Sequence, residues 1–155
     1  KNLFGSRTRG TATRTSYEVI KRLELLSDDE LRFLAAATAP ERRLFMWAAM
    51  CRYYDFVAEF AEEVLRDRFL LGTNTVTQED FSRFVVEKSL WHEELSEIKP
   101  STLNKLRTNL FLAMREAGLL TDDGAIITPI VTPELKNVLE NATPSEIRYF
   151  PVFEN

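Results

Sequence analysis

Side chains that could carry out catalysis or hold a metal ion are scarce in this 155-residue sequence. It contains one histidine, His92, and one cysteine, Cys51. His92 is followed by two glutamates, but these three residues lack the i, i+4 spacing of a metal-ligand set. Cys51 falls on the inward stripe of its predicted helix, which is typical of a buried apolar residue. The sequence therefore predicts no enzyme activity, no metal site and no cofactor.

Side chains that suit contact with nucleic acid lie on one face of a predicted helix over residues 101–117. Arginine and lysine reach phosphates or guanine edges, asparagine can pair with adenine, and serine and threonine serve either role. The residues on this face are Ser101, Asn104, Lys105, Thr108 and Arg115, with Leu112 among them. A polar face is also what any surface helix needs, and Leu112 is awkward for a surface that enters a DNA groove.

The net charge of −4 hides two basic segments in an otherwise acidic chain. The first is residues 1–16, which carry Lys1, Arg7, Arg9 and Arg14 and no acidic residue. The second is residues 99–121, which carry Lys99, Lys105, Arg107 and Arg115 against Glu116 alone. Local potential decides contacts within about 10 Å in physiological salt, so overall acidity does not forbid binding to a polyanion. Chance segregation of charge is the alternative explanation.

The first segment is predicted to be an extended arm, since it is rich in Gly, Ser, Thr and Arg and has no apolar periodicity. Arginines on such an arm could enter a minor groove or follow phosphates, or could simply keep a disordered terminus soluble. Further candidates for phosphate contact are Arg42, Arg43 and Arg52, although Glu41 and Asp55 nearby favour ordinary surface ion pairs.

Apolar periodicity predicts a helical bundle over residues 17–72. The predicted helices begin at Tyr17, at the capping box Ser27–Glu30, at Pro40 and near Phe56, and the last of them closes near Gly72. The aromatic residues of this half, such as Trp47 and Phe60, are predicted to be core.

The order of elements in the second half is typical of a winged helix-turn-helix over residues 73–155. These elements are a helix from the capping box Thr77–Asp80, a short helix 92–98, a long helix 101–117 capped by Ser101, a hairpin 119–127 and a helix from Thr132. Gly118 is predicted to stop the long helix in the left-handed conformation, and Asp-Gly at 123–124 is a hairpin-turn signal. In this design the long third helix lies in the major groove and the wing touches the DNA backbone. The fold prediction is therefore mainly α, as an arm, a bundle and a winged helix.

Several stretches of the sequence resemble the BrxA family, the small non-enzymatic component of bacterial BREX phage-defence systems. They are NLFGSRTRGTATR, ERRLFMWAAMCRYYDFVAEFAEEVLRDRFLLG, VTQEDFSRFVVEKSLWHEEL and STLNKLRTNLFLAMREAGLL, and the resemblance covers roughly residues 2–140. It implies a NusB-like bundle followed by a winged helix that binds double-stranded DNA. The matching positions are Arg7, Arg9, Arg14, Ser101, Thr102, Lys105 and Arg107.

The resemblance has a departure at the start of the chain. Family members have a helical segment before the arm, whereas this chain begins at Lys1 without a methionine, so a shortened or processed form is expected. No apolar run is long enough for a membrane span and no signal peptide follows the basic start, which predicts a cytoplasmic location.

The first functional hypothesis is a non-enzymatic BREX accessory protein that binds double-stranded DNA through the arm and the third helix. It would position the system's methyltransferase or ATPases. The second is a protein-interaction adaptor within the same system, in which the basic segments are incidental. A third, an RNA-binding factor by analogy with NusB-like bundles, ranks below both.

Overall fold

The structure, a computed structural model, describes residues 26–153. The predicted arm, with Arg7, Arg9 and Arg14, and the predicted helix from Tyr17 lie outside these residues. The described part of the chain is mainly helical, as predicted. No helix within it is both long and apolar enough to cross a membrane.

The first two helices both begin at a capping box. Helix α1 (Asp28–Ala36) follows Ser27, whose hydroxyl accepts from the Glu30 amide at 3.2 Å while the Glu30 carboxylate accepts from the Ser27 amide at 2.9 Å. Helix α2 (Ala39–Tyr53) repeats this arrangement with Thr38 and Glu41 and has a proline in its first turn. Side-chain oxygens thus satisfy amides that have no partner inside the helix, which confirms both predicted starts.

Helix α3 is continuous but changes its hydrogen-bonding pattern in the middle. It consists of an α segment (Asp55–Phe60), a π-helical segment (Ala61–Arg66) and a last α segment (Asp67–Leu70). The predicted single helix that closes near Gly72 is confirmed, whereas the π segment was not predicted. The spacing of apolar residues does not reveal the change from α to π hydrogen bonding, because buried residues continue through the π segment at Ala61 and Leu65.

Three helices follow in the order that the sequence predicts. They are α4 (Gln78–Ser89), α5 (Glu93–Ser96) and α6 (Pro100–Glu116). The predicted capping role of Ser101 is wrong, because α6 begins one residue earlier, after Lys99, and has no side-chain cap. Pro100 accounts for the early start, since its fixed φ suits the first turn and its missing amide needs no partner there. The Ser101 side chain is therefore exposed rather than used as a cap.

Gly118 ends α6 as predicted, with a φ of +82°. Its amide donates to the Arg115 carbonyl at 3.0 Å and the Leu119 amide donates to the Met114 carbonyl at 2.9 Å, which is the Schellman arrangement. The predicted hairpin beyond it is minimal. The described residues contain isolated bridges, Thr75 with Ala125 and Leu120 with Ile126, and no extended sheet.

Hydrogen bonds within the turn close the hairpin. The Thr121 amide donates to the Ala125 carbonyl at 2.9 Å, and the Ala125 amide donates to the Thr121 hydroxyl at 2.9 Å. On its other edge, the Val76 amide donates to the Gly124 carbonyl at 2.9 Å. The hairpin is thus joined to the segment that precedes α4.

The chain ends with helix α7 (Pro133–Glu140), a cis Thr143–Pro144 peptide bond and a 3₁₀ turn (Glu146–Tyr149). Thr132 caps α7 as predicted and also donates its hydroxyl to the buried Glu41 carboxylate of α2. Hydrogen bonds from Thr132 and from the Thr38 amide lower the pKa of Glu41. The start of α7 is therefore fixed to the start of α2.

Phenylalanine rings join the two predicted domains through one core. Phe56 and Phe60 of α3 contact Phe84 of α4, with ring centroids 5.3 and 5.2 Å apart, and Phe60 also contacts Phe111 of α6 at 6.3 Å. These contacts cross the predicted boundary between residues 72 and 73. They hold α4 and α6 on α3, so the bundle side of the molecule positions α6.

A charged cluster joins α1, α2 and the 3₁₀ turn. Arg52 donates to both Glu30 of α1 and Glu146 of the 3₁₀ turn, each at 2.7 Å from its Nη2. Burial opposes ionisation of Glu30, but hydrogen bonds from Arg52 and Ser27 outweigh it and lower its pKa. Arg52 is therefore a structural link rather than the free phosphate contact that was considered for it.

Candidate nucleic-acid interface

Helix α6 presents a polar stripe along its exposed side. Ser101, Lys105 and Thr108 are exposed and follow one another at spacings of four and three residues, which places them on one face. The opposite face contributes Leu110 and Met114 to the core. Burial of that apolar face fixes the rotation of α6, so the polar stripe points away from the protein.

Most of the predicted contact residues lie in the N-terminal half of α6 or, for Lys99, directly before it. The exposed ones are Lys99, Ser101, Thr102, Asn104, Lys105 and Thr108. Leu112, the next residue along the stripe, is 43% exposed, so the apolar side chain that was awkward for a groove-facing surface is not covered within the described residues. It lies about two turns beyond Lys105, so the exposed stripe is polar over the first two turns of the helix.

Arg107 is the predicted contact residue that the structure places elsewhere. Two residues turn an α-helix through about 200°, so Arg107 lies on the far side of α6 from Lys105. Its side chain is half-buried, and its Nε atom is enclosed without a hydrogen-bond partner in the described part of the chain. The polar face predicted from helical spacing already left Arg107 out, and only the basic segment and the family resemblance suggested it as a DNA contact.

Asn109 belongs to the same exposed surface and was not predicted. It is exposed and lies four residues after Lys105, one helical turn further along. An asparagine there offers both a donor and an acceptor to a base edge. The i, i+4 spacing from Lys105 was the signal that could have identified it.

The two lysines of this surface keep their charge available. Within residues 26–153, no carboxylate forms an ion pair with Lys99 or Lys105. By contrast, Lys88 bonds to Glu59 and Glu63, each at 2.8 Å. A lysine without an acidic partner has no competitor to displace when a phosphate approaches, so these side chains suit a polyanion.

The hairpin turn beside α6 carries the opposite charge. Asp122 and Asp123 are exposed at its tip, and the Thr121 hydroxyl donates to Asp123 and lowers the pKa of that carboxyl. Arg115 lines the cleft between this turn and α4 without an ion pair among the described residues. Two carboxyl groups at the tip oppose the phosphate contact that a wing makes in the design inferred from the sequence.

No group of three or more His, Cys, Asp or Glu side chains within residues 26–153 is arranged to hold a metal ion. His92 is half-buried, with Nδ1 3.7 Å from a Glu94 carboxylate oxygen. Cys51 is buried in the core, and burial raises the pKa of its thiol well above the usual value. A thiol that stays protonated is a poor nucleophile.

Comparison with known proteins agrees with the resemblance found in the sequence. The BrxA family model matches residues 1–143, which is most of the chain. This chain belongs to the BrxA family. A relative from Bacillus cereus (strain H3081.97), named BREX protein BrxA, is 23% identical over 120 residues, which are 77% of this chain and 60% of the relative. The chain thus spans about 60% of the length of that relative.

A solved structure shows the same fold. The crystal structure of an uncharacterized protein from Magnetospirillum magneticum superimposes with a TM-score of 0.79 and 19% sequence identity. The match covers 90% of this chain and 75% of that one. The helical fold described above is therefore shared with that solved structure.

Proposed function

We propose that this chain is a non-enzymatic accessory component of a BREX phage-defence system that binds double-stranded DNA. Membership of the BrxA family supports the BREX assignment, as does the name of the Bacillus cereus relative. DNA binding is supported by the exposed stripe of α6. Lys105 on this stripe and Lys99 directly before the helix have no ion pair within residues 26–153, and they lie beside side chains that can hydrogen-bond to bases. This stripe is the observation that carries the proposal.

The order of elements supports α6 as the helix that enters the major groove. Helices α4, α5 and α6 follow one another and are succeeded by a short hairpin that pairs with the segment around Thr75, which is the order of a winged helix. In this proposal residues 17–72 form the NusB-like bundle and residues 73–155 form the winged helix. The acidic hairpin tip leads us to assign the DNA contact to α6 and the arm, and not to the wing.

The proposed contacts have separate roles. Lys99 and Lys105 neutralise phosphates, whereas Asn104, Thr108 and Asn109 face base edges. Ser101 and Thr102 donate hydroxyls to phosphates next to the first turn of α6. Arg7, Arg9 and Arg14 of the arm add phosphate or minor-groove contacts. The DNA-bound chain then positions the larger components of the system, a methyltransferase or ATPases, on DNA.

A salt titration with matched charge reversals tests the proposal. Duplex DNA labelled with a fluorophore is titrated with the chain at about 50 to 200 mM salt, and affinity is followed by anisotropy. The variant Lys99→Glu/Lys105→Glu is expected to bind at least about tenfold more weakly. It should also lower the slope of log affinity against log salt by roughly one for each lysine that contacts a phosphate.

The control is Lys136→Glu, which changes an exposed lysine of α7 that has no ion pair in the described part of the chain. It reverses one charge away from α6, so it is compared with the single variant Lys105→Glu, and it is expected to retain most of the affinity. Equal losses in Lys105→Glu and the control would show that net charge alone governs retention. No binding by the unaltered chain at low salt would overturn the proposal.

A further inference from the structure

An apolar patch remains exposed where α4 ends. Val86, Leu90 and Trp91 are 66%, 78% and 82% exposed. Val86 and Leu90 are one turn apart on the outer face of α4, and Trp91 follows directly. Phe81, Phe84 and Val85 of the same helix are buried against the core, so the inward face of α4 is already occupied. Among residues 26–153, these three side chains, which we call the α4 patch, are therefore not part of the packed core.

Acidic side chains lie beside the C-terminal end of the α4 patch, whereas the exposed Arg83, one turn before Val86, is bonded to Asp80. Glu87 lies one turn before Trp91, and Glu93 and Glu94 follow it in the next helix; all three are exposed. Glu87 and Glu93 have no ion pair within residues 26–153. Lys88 does not offset them, because its ammonium group turns inward to Glu59 and Glu63 of α3. The patch is thus an apolar centre with a negatively charged border.

We infer that the α4 patch is a docking site for a protein segment that presents apolar side chains flanked by lysine or arginine. Apolar centres with polar borders are typical of protein interfaces, and tryptophan is enriched among the residues that dominate binding energy. The border selects the sign of the partner, because opposite charges favour association and like charges oppose it.

The same border argues against two other occupants. DNA would bring phosphates against Glu87, Glu93 and Glu94, and this repulsion adds to the cost of covering the patch. A second copy of the chain in a two-fold contact would place each acidic border against its own equivalent, because such an interface pairs the same surface of both subunits. A basic, apolar segment of another protein meets neither obstacle.

Photo-cross-linking from the patch tests this inference. p-Benzoylphenylalanine replaces Leu90 in the full chain, in cells that contain the complete BREX system, and cross-linked peptides are identified by mass spectrometry. The control position is Ile130, an exposed apolar residue in another part of the molecule. The choice of cells rests on the proposed function, whereas the inference concerns a different surface.

The expected result is a cross-link from position 90 to an apolar, Lys- or Arg-rich segment of another protein. Its yield should exceed that from position 130 and fall about tenfold in Glu87→Lys/Glu93→Lys/Glu94→Lys. Cross-links to DNA, to a second copy or to an acidic segment would overturn the inference. A yield no greater than that from position 130 would also overturn it.

A second variant separates this inference from the proposed function. Leu90→Ser/Trp91→Ser is expected to keep the DNA affinity of the unaltered chain in the salt titration, since the α4 patch is not part of the α6 stripe. Loss of DNA affinity in this folded variant would assign the patch to the DNA surface and overturn the inference. Normal cross-linking by a chain that binds no DNA would instead reject the proposed function alone.

Discussion

At the scale of single residues, position around the helix separates side chains of the same charge. Lys105 and Arg107 are two residues apart, yet Lys105 is exposed on the stripe while Arg107 is half-buried with an enclosed Nε. The helical face identified in the sequence contained Lys105 but not Arg107. Arg107 was assigned to DNA only through the basic segment and the family resemblance, neither of which reports rotation about the helix axis. A charge reversal at Arg107 would therefore disturb packing as well as charge, and Lys99 is the better partner for Lys105 in a double variant.

Arg52 carries a stability prediction at the same scale. Arg52→Ala removes the donor shared by Glu30 and the buried Glu146 and leaves both carboxylates without it. Breaking a buried ion pair from one side costs about 3 kcal/mol. We expect urea denaturation to show a loss of this size in the free energy of unfolding.

Arg42→Ala is the matched control for that measurement. Arg42 is exposed and donates to the Ala37 carbonyl, so its removal should cost less than about 1 kcal/mol. A cost for Arg52→Ala no larger than that of the control would show that the cluster does not stabilise the fold. The sequence alone could not indicate this cluster, because its partners lie 22 and 94 residues away from Arg52.

At the scale of elements, local signals predicted where helices begin and end. These signals are the capping boxes at Ser27 and Thr77, the proline in the first turn of α2 and Gly118 after α6. Each acts on backbone groups a few residues away, so a short stretch of sequence is enough to recognise it. The size of the hairpin and the π segment of α3 were not predictable in the same way. Both depend on contacts with other elements, such as the hydrogen bond between Val76 and Gly124.

The hairpin turn supplies a prediction at this scale. Gly124 has a φ of +88°, and a Cβ atom there would lie 2.8 Å from the Val76 carbonyl oxygen. Gly124→Ala should therefore destabilise the chain by about 2 to 3 kcal/mol, from backbone strain and from this clash. Urea denaturation measures the loss, and hydrogen exchange should show reduced protection of the Val76 amide.

Gly118→Ala separates the two causes, because Gly118 also has a positive φ but open space around the added methyl group. It should cost only the strain, about 1 to 2 kcal/mol. If Gly124→Ala were no worse than Gly118→Ala, the contact between the hairpin and the segment before α4 would not matter for stability.

At the scale of the whole molecule, two surfaces of opposite character lie close together in the chain. The acidic border of the α4 patch ends near Glu94. Lys99 and the polar stripe of α6, which starts at Ser101, follow shortly after it in the chain. The shared phenylalanine core holds α4 and α6 on α3, which fixes both surfaces to one framework. A protein that binds DNA through α6 could thus hold a protein partner beside it. The sequence indicated the basic stripe through charge, whereas the patch required knowledge of which face of α4 the core buries.

The most direct measurement of the central claim is a titration of the ¹⁵N-labelled chain with a short DNA duplex, followed by two-dimensional NMR. We expect the largest shifts at the amides of Ser101, Lys105 and Thr108 and at the side-chain amides of Asn104 and Asn109. The α4 patch and the hairpin tip at Asp122 should change little. Unchanged α6 resonances at a DNA concentration that shifts resonances elsewhere in the chain would contradict the proposal that α6 contacts DNA.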